Sequence, residues 1–317
     1  MGLDEEAHRG VAYADAYSMA HLEKEAHMAI STQTTYDVDS SDVEYLRHGD
    51  TPLPARLFTP RGNGPFPIMV ELHGGAWVRG DRLNGNAPNE ALAKHGVIVA
   101  ALNFRVPPVA PYPASLADIH YGIRWCKTQA AAWHGRPDWI GAIGTSSGAH
   151  QAMLLGMRPH DSRYAALPSP TGAAAVDGTL GCVIMVSPVI DPLGRYLYAK
   201  GLRQDVTPPA GFADRVVPMH DQYWQTEEAM AEGAPARILA RGERTAMPPV
   251  LSLRRAYEEG HPRPDFDEFV RQYRQAGGKI DVTIFEGEGE GLLRNLVSPT
   301  AQQALEQMST FIHQHLG

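Results

Sequence analysis

Cysteine and positive charge are both scarce in this chain. Its 317 residues include 2 cysteines, and 28 lysines and arginines stand against 36 aspartates and glutamates, for a formal net charge of −8. Two isolated cysteines, Cys126 and Cys182, make neither a disulfide framework nor a zinc site, and they are typical of a reducing compartment. Because the sequence has no basic stripe, we expect neither nucleic acid nor an anionic membrane surface as a partner.

Long apolar runs are missing as well. No stretch reaches the ~18 apolar residues that cross a bilayer. The opening residues, MGLDEE, lack the apolar segment of a secretory signal. These absences predict a cytoplasmic protein with no membrane partner. The hydrophobic share of 43% and the charged share of 20% indicate a globular chain that buries its own core. Whether the chain forms a homo-oligomer stays open.

The order of the apolar segments indicates a single α/β domain over residues 1–317. Residues 1–33 have the composition of an N-terminal helical arm, and residues 34–59 alternate as antiparallel strands do. From residue 66 onward, short buried strands alternate with helices. That alternation predicts a mostly parallel sheet with helices on both faces.

One stretch interrupts this alternation. Residues 198–248 carry helix and loop but no strand pattern, and Met219, Tyr223 and Trp224 lie among them. We predict that this stretch is a cap over the carboxyl ends of the strands, where open α/β sheets bind their ligands. An irregular surface excursion is the alternative interpretation.

A serine between glycines follows the strand predicted at 139–144. The motif GTSSG at 144–148 opens a helix, which is the setting of a nucleophile elbow, with Ser146 near the positive end of that helix. The motif HGGAW at 73–77 follows another predicted strand, and its glycines let backbone N–H groups approach a developing oxyanion. Ser146 is therefore the candidate nucleophile. The candidate oxyanion donors are the backbone N–H groups of Gly74, Gly75, Ala76 and Ser147.

These motifs, together with SPVIDP at 187–192, resemble those of the α/β-hydrolase superfamily and, within it, of the hormone-sensitive-lipase-like esterases. The resemblance implies an eight-stranded sheet, no cofactor, and hydrolysis of carboxylic esters, sometimes of amides or lactones. It matches Ser146 to the family's nucleophile. It also matches the family's oxyanion donors to Gly75, Ala76 and Ser147.

The resemblance fails at the catalytic histidine. In that family an acid follows the strand predicted at 250–253, and a histidine follows the last strand. Here the acid position falls at Glu258, and the histidine position is occupied by Glu290. A free glutamate has a pKa near 4.3, against about 6.5 for histidine, so a carboxylate is the weaker base.

Several hypotheses for the base follow. His261, on the loop after the acid's strand, can supply the imidazole, with Glu258 or Glu290 orienting it. Glu290 can instead act as the base, or as the acid partner of a different chemistry. The site can also have lost hydrolysis and kept binding, as in the plant gibberellin receptor, which resembles this family. A histidine from the cap, such as His220, is the remaining source.

Other residues near the motifs have weaker claims. Asp191 can orient the base, although a Val-Ile-Asp-Pro setting is more typical of a turn anchor. We assign His150, one helical turn past the nucleophile, to packing and His73 to holding its own loop. Trp77 and Trp224 are the candidate substrate contacts, with packing as the alternative for Trp77.

Together these residues favour a serine hydrolase that acts on a small, largely apolar carboxylic ester or lactone through an acyl-enzyme on Ser146. The apolar substrate is inferred from the Met, Trp and Tyr content of the cap. Two other classes stay open. One is a lyase or isomerase that uses the oxyanion hole and Glu290, and the other is a catalytically silent receptor or binding protein for a small molecule.

Overall fold

The structure, a computed structural model, describes residues 35–170, 176–205, 211–289 and 291–317. The chain divides into two units, Met1–Thr35 and Tyr36–Gly317, and every element named below belongs to the second. The predicted helical arm at 1–33 lies outside the described residues.

The second unit is built on one eight-stranded sheet with the order β1-β2-β4-β3-β5-β6-β7-β8. The strand β2 pairs antiparallel with β1 and β4, and the remaining pairs, from β4 to β8, are parallel. The prediction of a mostly parallel sheet is therefore confirmed. The strands are β1 (Val38–His48), β2 (Thr51–Pro60), β3 (Phe66–Leu72), β4 (Ile98–Leu102), β5 (Gly135–Thr145), β6 (Val183–Val186), β7 (Val250–Tyr257) and β8 (Ile280–Glu288).

Helices connect the parallel strands and cover both faces of the sheet. Along β3, Ile68 and Val70 enter one apolar core, while Met69 enters the other. This alternation follows from the two-residue period of a strand. The helices are α1 (Asn86–Lys94), α2 (Ala114–Gln129), α3 (Ser147–Met157), α4 (Pro192–Leu202), α5 (Phe212–Trp224), α6 (Glu227–Glu232), α7 (Pro235–Ala240), α8 (Arg263–Gln275) and α9 (Pro299–Leu316).

The strand between β6 and β8 extends further than its apolar run suggests. The sequence predicts a strand over 250–253, whereas β7 continues to Tyr257 because Arg254 and Arg255 still pair with Ile284 and Phe285 of β8. Edge pairing with β8 thus extends a strand whose second half is charged. The consequence is that Glu258 immediately follows the strand's end.

The helices α4 to α7 lie between β6 and β7, and no described residue of this insertion is in a strand. The helical insertion begins at Pro192, ahead of the predicted cap start at 198, because Asp191 caps α4 and proline occupies its first turn. Within the insertion, α5 carries a strongly apolar face. Its buried residues join a third apolar cluster with Trp77 and Tyr196.

The register aligns the carboxyl ends of the central strands. Leu72 of β3 pairs with Gly144 of β5, Thr145 pairs with Val186 of β6, and Val186 pairs with Leu253 of β7. The loops that follow these strands therefore meet at one edge of the sheet, under the inserted helices. Among the helices described, none is both long and apolar enough to cross a membrane.

Candidate active site

Ser146 occupies a strained turn between β5 and α3, with φ 56° and ψ −115°. Two glycines make the turn sterically feasible. A Cβ on Gly144 would lie 2.3 Å from the carbonyl carbon of Gly148, and a Cβ on Gly148 would lie 2.0 Å from the carbonyl oxygen of Leu72. Because only glycine fits where the helix crosses the strands, the motif forces the serine side chain out at the sheet edge.

Ser146 lies on the wall of a cavity of about 630 Å³ at this edge. Its backbone N–H donates to the carbonyl of Val186 at 2.9 Å, and its carbonyl accepts from the N–H of His150 at 3.1 Å. These bonds fix the serine to β6 on one side and to α3 on the other. The cavity has the size of a pocket for a small organic molecule.

His261 reaches the serine from the loop between β7 and α8. The Ser146 hydroxyl and His261 Nε2 are 2.9 Å apart, a hydrogen-bond distance, and both residues contribute to the cavity wall. Burial lowers the pKa of His261 well below its usual value, and the positive charges of Arg195 and Arg254 lower it further. The ring is therefore neutral near pH 7, with Nε2 able to accept the hydroxyl proton.

Two buried arginines hold the loop that carries His261. Arg254 Nη2 donates to the carbonyl of His261 at 2.8 Å, and Arg195 Nε donates to the carbonyl of Gly260 at 2.6 Å. The N–H of His261 also donates to the carbonyl of Glu258 at 3.1 Å, which closes a turn. The imidazole is thus positioned through its backbone.

The carboxylate of Glu258 lies beneath this turn. Its Oε1 accepts from the Ser187 hydroxyl at 2.6 Å and from the N–H of Arg255 at 3.0 Å. Its Oε2 lies 3.6 Å from Arg254 Nη2 and 3.8 Å from His261 Nδ1, an ion-pair separation that is longer than a hydrogen bond. Glu258 thus anchors the ends of β6 and β7 and lies close to the imidazole.

Glu290 lies outside the described residues. Of the two residues beside it, Gly291 lines the cavity, and the N–H of Gly289 donates to the carbonyl of Tyr257, the last residue of β7, at 2.9 Å. The predicted roles of Glu290 as base or as orienting acid therefore stay predictions.

The candidate oxyanion loop lies against the elbow. Gly74, Gly75 and Ala76 line the same cavity as Ser146, and a Cβ on Gly74 would lie 3.5 Å from the Cβ of Ser146. Gly75 and Ala76 have positive φ, 123° and 53°, so the backbone turns back on itself beside the serine. Ser147 is buried as the first residue of α3, where a backbone N–H has no acceptor within the helix. The structure thus brings the predicted donors to the nucleophile.

His73, which precedes these glycines, holds the loop. Its ring stacks on Phe104 with centroids 4.2 Å apart, and its Nδ1 lies 2.9 Å from the carbonyl oxygen of Gly74. Burial lowers the pKa of His73, so the ring is a neutral packing group. This placement agrees with the structural role expected from the sequence.

Trp77 and Trp224, the candidate substrate contacts, are not on the cavity wall. Each is 1% exposed, and the two rings pack edge-to-face in the cluster beneath α5. Trp77 Nε1 donates to His150 Nδ1 at 3.1 Å. The inserted helices reach the cavity instead through Phe212, Val216 and Met219. The large aromatics face inward because that is where they bury the most apolar area.

The remaining candidates have structural partners. His150 Nε2 donates to the carbonyl of Gly233 at 2.8 Å, and burial lowers the pKa of His150 to about 4. Nδ1 of His220 lies 2.9 Å from the Val216 carbonyl oxygen, and burial lowers its pKa to about 3. Asp191 caps α4 and accepts from the N–H of Gly194, in the first turn of that helix, at 2.9 Å.

Sequence reasoning overlooked three charged residues at this site. Arg195 and Arg254 fix the histidine loop, as described above, and Glu71 of β3 lines the cavity. Burial raises the pKa of Glu71 to about 7, although the neighbouring Asn89 opposes the rise. A signal was present, since Glu71 is the charged residue in the apolar run FPIMVEL. Within the described segments, no group of His, Cys, Asp or Glu is arranged to hold a metal ion.

Residues 57–185 of the chain match the family model described as BD-FAE. The matched region contains both glycine motifs and ends before Glu258 and His261. Esterase LipC of Mycobacterium tuberculosis is 33% identical over 121 residues, which is 37% of this chain and 30% of that protein. The probable isoprenylcysteine alpha-carbonyl methylesterase ICME of Oryza sativa subsp. japonica is 25% identical over 236 residues, covering 73% of this chain and 53% of that protein. The chain therefore spans less than two thirds of the length of either relative.

A solved structure extends the likeness over most of the chain. A hyperthermophilic esterase from the archaeon Pyrobaculum calidifontis aligns with a TM-score of 0.69 at 16% identity, covering 90% of this chain and 86% of that one. At this level of identity, the likeness establishes that the two chains share a fold.

Proposed function

Because the chain has the α/β-hydrolase fold, we propose that it hydrolyses carboxylic esters through an acyl-enzyme formed on Ser146. One observation carries the proposal: the 2.9 Å separation between the Ser146 hydroxyl and His261 Nε2. The esterase names of the relatives support the same reaction type. A nucleophile within reach of a base, beside an oxyanion loop, is the arrangement that acyl transfer requires.

The first half of the reaction forms the acyl-enzyme. Ser146 Oγ attacks the acyl carbon while its proton moves to His261 Nε2, and the carbonyl oxygen becomes an oxyanion. Backbone N–H groups of the loop at Gly74–Ala76 and of Ser147 stabilise that charge, each donor lowering the barrier by roughly 3–4 kcal/mol. His261 then returns the proton to the leaving alkoxide, and the alcohol departs.

The second half regenerates the serine. A water molecule gives a proton to His261 Nε2 as its oxygen attacks the acyl carbon, and the same donors hold the second oxyanion. Collapse of this intermediate releases the acid, with the proton returning to Ser146 Oγ. Because His261 is neutral near pH 7, it is ready to accept a proton in both halves.

The positive imidazolium needs a carboxylate partner, and we propose Glu290 for that positioning role. Glu258 lies close to the imidazole, but its Oε2 is 3.8 Å from His261 Nδ1, longer than a hydrogen bond, and its Oε1 bonds Ser187 and Arg255. The described neighbours of Glu290 lie at the cavity and at the end of β7. This arrangement would exchange the two positions of the family, with the imidazole after β7 and the acid after β8.

The cavity supports a small ester, but its wall bears out only part of the reason for an apolar preference. That preference was inferred from the Met, Trp and Tyr content of the cap, of which Tyr223 and Trp224 are buried in packing while Met219 lines the cavity. The described wall instead mixes apolar side chains, such as Phe212 and Leu292, with charged ones, such as Glu71 and Arg79. We therefore propose a small ester or lactone that carries polar groups.

Covalent labelling tests the proposal. A fluorophosphonate probe should label the parent protein and should not label Ser146→Ala, and the variant should lose hydrolysis of short-chain aryl esters. Ser252→Ala is the matched control, because Ser252 is buried in β7, is not on the cavity wall, and its hydroxyl bonds no described residue. Hydrolysis that persists in Ser146→Ala would exclude the acyl-enzyme. Turnover without labelling would favour a lyase or isomerase, and ligand binding without either would favour a receptor.

A further inference from the structure

The cavity has a polar end formed by residues of β3 and α1. Glu71 on β3 and Asn86 and Asn89 on α1 line this end of the same cavity that Ser146 lines. Glu71 pairs in register with Ala101 on one side and Ile143 on the other, in the centre of the sheet. A glutamate at such a central strand position is unusual, since ionisable side chains are seldom buried without a partner.

Two acceptor atoms at this end, and one donor, Nδ2 of Asn89, have no hydrogen-bond partner among the described residues. The acceptors are Oε2 of Glu71, a residue that is 6% exposed, and Oδ1 of Asn86. Leaving a buried acceptor unmatched is costly, whereas an apolar side chain of the same shape would avoid that cost. A bound molecule with a hydrogen-bond donor at this point would supply the hydrogen bonds that these acceptors lack in the folded chain.

The backbone leaves room for such a molecule. Gly85 precedes α1, and a Cβ there would lie 2.9 Å from Asn89 Nδ2 and 3.2 Å from Glu71 Oε1. Any larger residue at this position would press on both polar groups. The glycine therefore keeps the carboxyl and the amides accessible from the cavity.

We infer that Glu71 and Asn86 form a subsite that accepts a hydrogen bond from a donor group on the substrate, a hydroxyl or an ammonium. The inference rests on the proposed esterase function, because it names the substrate feature that the same cavity recognises. A hydroxyl needs one acceptor and suits the protonated or the ionised carboxyl. An ammonium carries three donors and favours the ionised form.

The test compares matched esters in the parent protein and in two variants. The substrates are methyl hexanoate and methyl octanoate with their ω-hydroxy and ω-amino derivatives, and hexyl acetate with its ω-hydroxy derivative, so that both sides of the ester are sampled. Glu71→Met removes the acceptors at similar volume. Glu71→Gln keeps one acceptor and removes the charge. Acid release is followed in a pH-stat.

The parent should hydrolyse at least one ω-hydroxy or ω-amino ester about tenfold better in kcat/KM than its plain counterpart. Glu71→Met should lose that preference, so that its ratio of kcat/KM between the polar ester and the plain ester falls to about one. Glu71→Gln should keep a preference for hydroxyl but lose one for ammonium. An unchanged preference ratio in Glu71→Met, or no preference in the parent, would overturn the subsite.

Thermal unfolding separates binding from a structural role. If Glu71 served only to hold the fold, Glu71→Met would unfold at a lower temperature, and the plain ester would be affected as strongly as the polar ones. The subsite predicts an unchanged or higher Tm.

Calorimetric binding of the ω-hydroxy ester to Ser146→Ala, compared with Ser146→Ala/Glu71→Met, tests the subsite without turnover. Binding lost only in the double variant would uphold the subsite even if the esterase proposal failed.

Discussion

The hydroxyl of Ser146 and Nε2 of His261 lie 2.9 Å apart although 115 residues separate them in the chain. The serine comes from the turn after β5, and the histidine comes from the loop after β7. The strand β6 lies between those two strands in the sheet. The contact therefore depends on the parallel pairing of β5, β6 and β7, which brings the carboxyl ends of these strands to one edge.

Replacing the base should slow chemistry more than binding. In His261→Gln, the neutral amide cannot accept the serine proton, so we expect kcat on an aryl ester to fall by roughly 10²–10⁴-fold with little change in KM. Steady-state kinetics with active-site titration measure both constants. His220→Gln is the control, since its ring bonds the carbonyl of Val216 and its loss should change kcat by a few-fold at most. A larger effect at His220 than at His261 would contradict the assignment.

The pH profile should reveal the low pKa of the imidazole. Burial and the charges of Arg195 and Arg254 lower the pKa of His261 well below its usual value, so the neutral form persists into acid. We expect the acid limb of kcat/KM to lie clearly below pH 6.5, the ordinary pKa of a histidine, because this limb reports the free enzyme's base. An acid limb at or above that value would mean that another group, or a differently solvated histidine, acts as the base.

Two conservative variants identify the orienting acid. Glu290→Gln should lower kcat by roughly 10²-fold or more, because the imidazolium would lose its partner, while the Tm should change little. Glu258→Gln should mainly lower the Tm, since this carboxylate accepts from Ser187 and from the N–H of Arg255. Measuring kcat and Tm for both variants gives a clear contrast. The reverse assignment of the two effects would make Glu258 the orienting acid.

The elbow should tolerate no added methyl group. In Gly148→Ala the new Cβ would lie 2.0 Å from the carbonyl oxygen of Leu72, so strand and helix must move apart, at a cost of about 1–3 kcal/mol or more. Gly201→Ala on α4 is the matched control, because a Cβ there meets nothing within 4 Å and alanine favours a helix. Denaturant unfolding compares the two. Equal stability of both variants would show that the elbow is looser than these distances require.

The buried carboxyl of Glu71 should make stability depend on pH. Its pKa is raised from 4.5 to about 7 in the folded protein, so the stability that it contributes is present below the unfolded value and is lost as the pH rises through about 7. Glu71→Gln does not titrate, and its Tm should therefore exceed that of the parent increasingly between about pH 5 and pH 8. Scanning calorimetry at several pH values provides the measurement. A difference that stays constant or shrinks with rising pH would show that Glu71 is ionised at little cost.

Much of the site can be recognised in the linear sequence because its chemistry is local. An elbow needs glycines two residues either side of the serine, and an oxyanion loop needs glycines directly after a strand, so Ser146 and Gly75 are identifiable without coordinates. The mostly parallel sheet is also predictable, since buried strands alternate with helices along the chain. The end of β7 is not, because pairing with β8 extends the strand through charged residues such as Arg255.

Only the folded chain decides which side chains meet. Several histidines are available in the sequence, and strand order and register select His261 by placing its loop beside the elbow, whereas His220 and His150 are turned into packing. Trp77 and Trp224 have the character of substrate contacts, yet burial of their large apolar surface draws them inward. Composition and motif specify what a residue is able to do, and long-range packing specifies what lies within its reach.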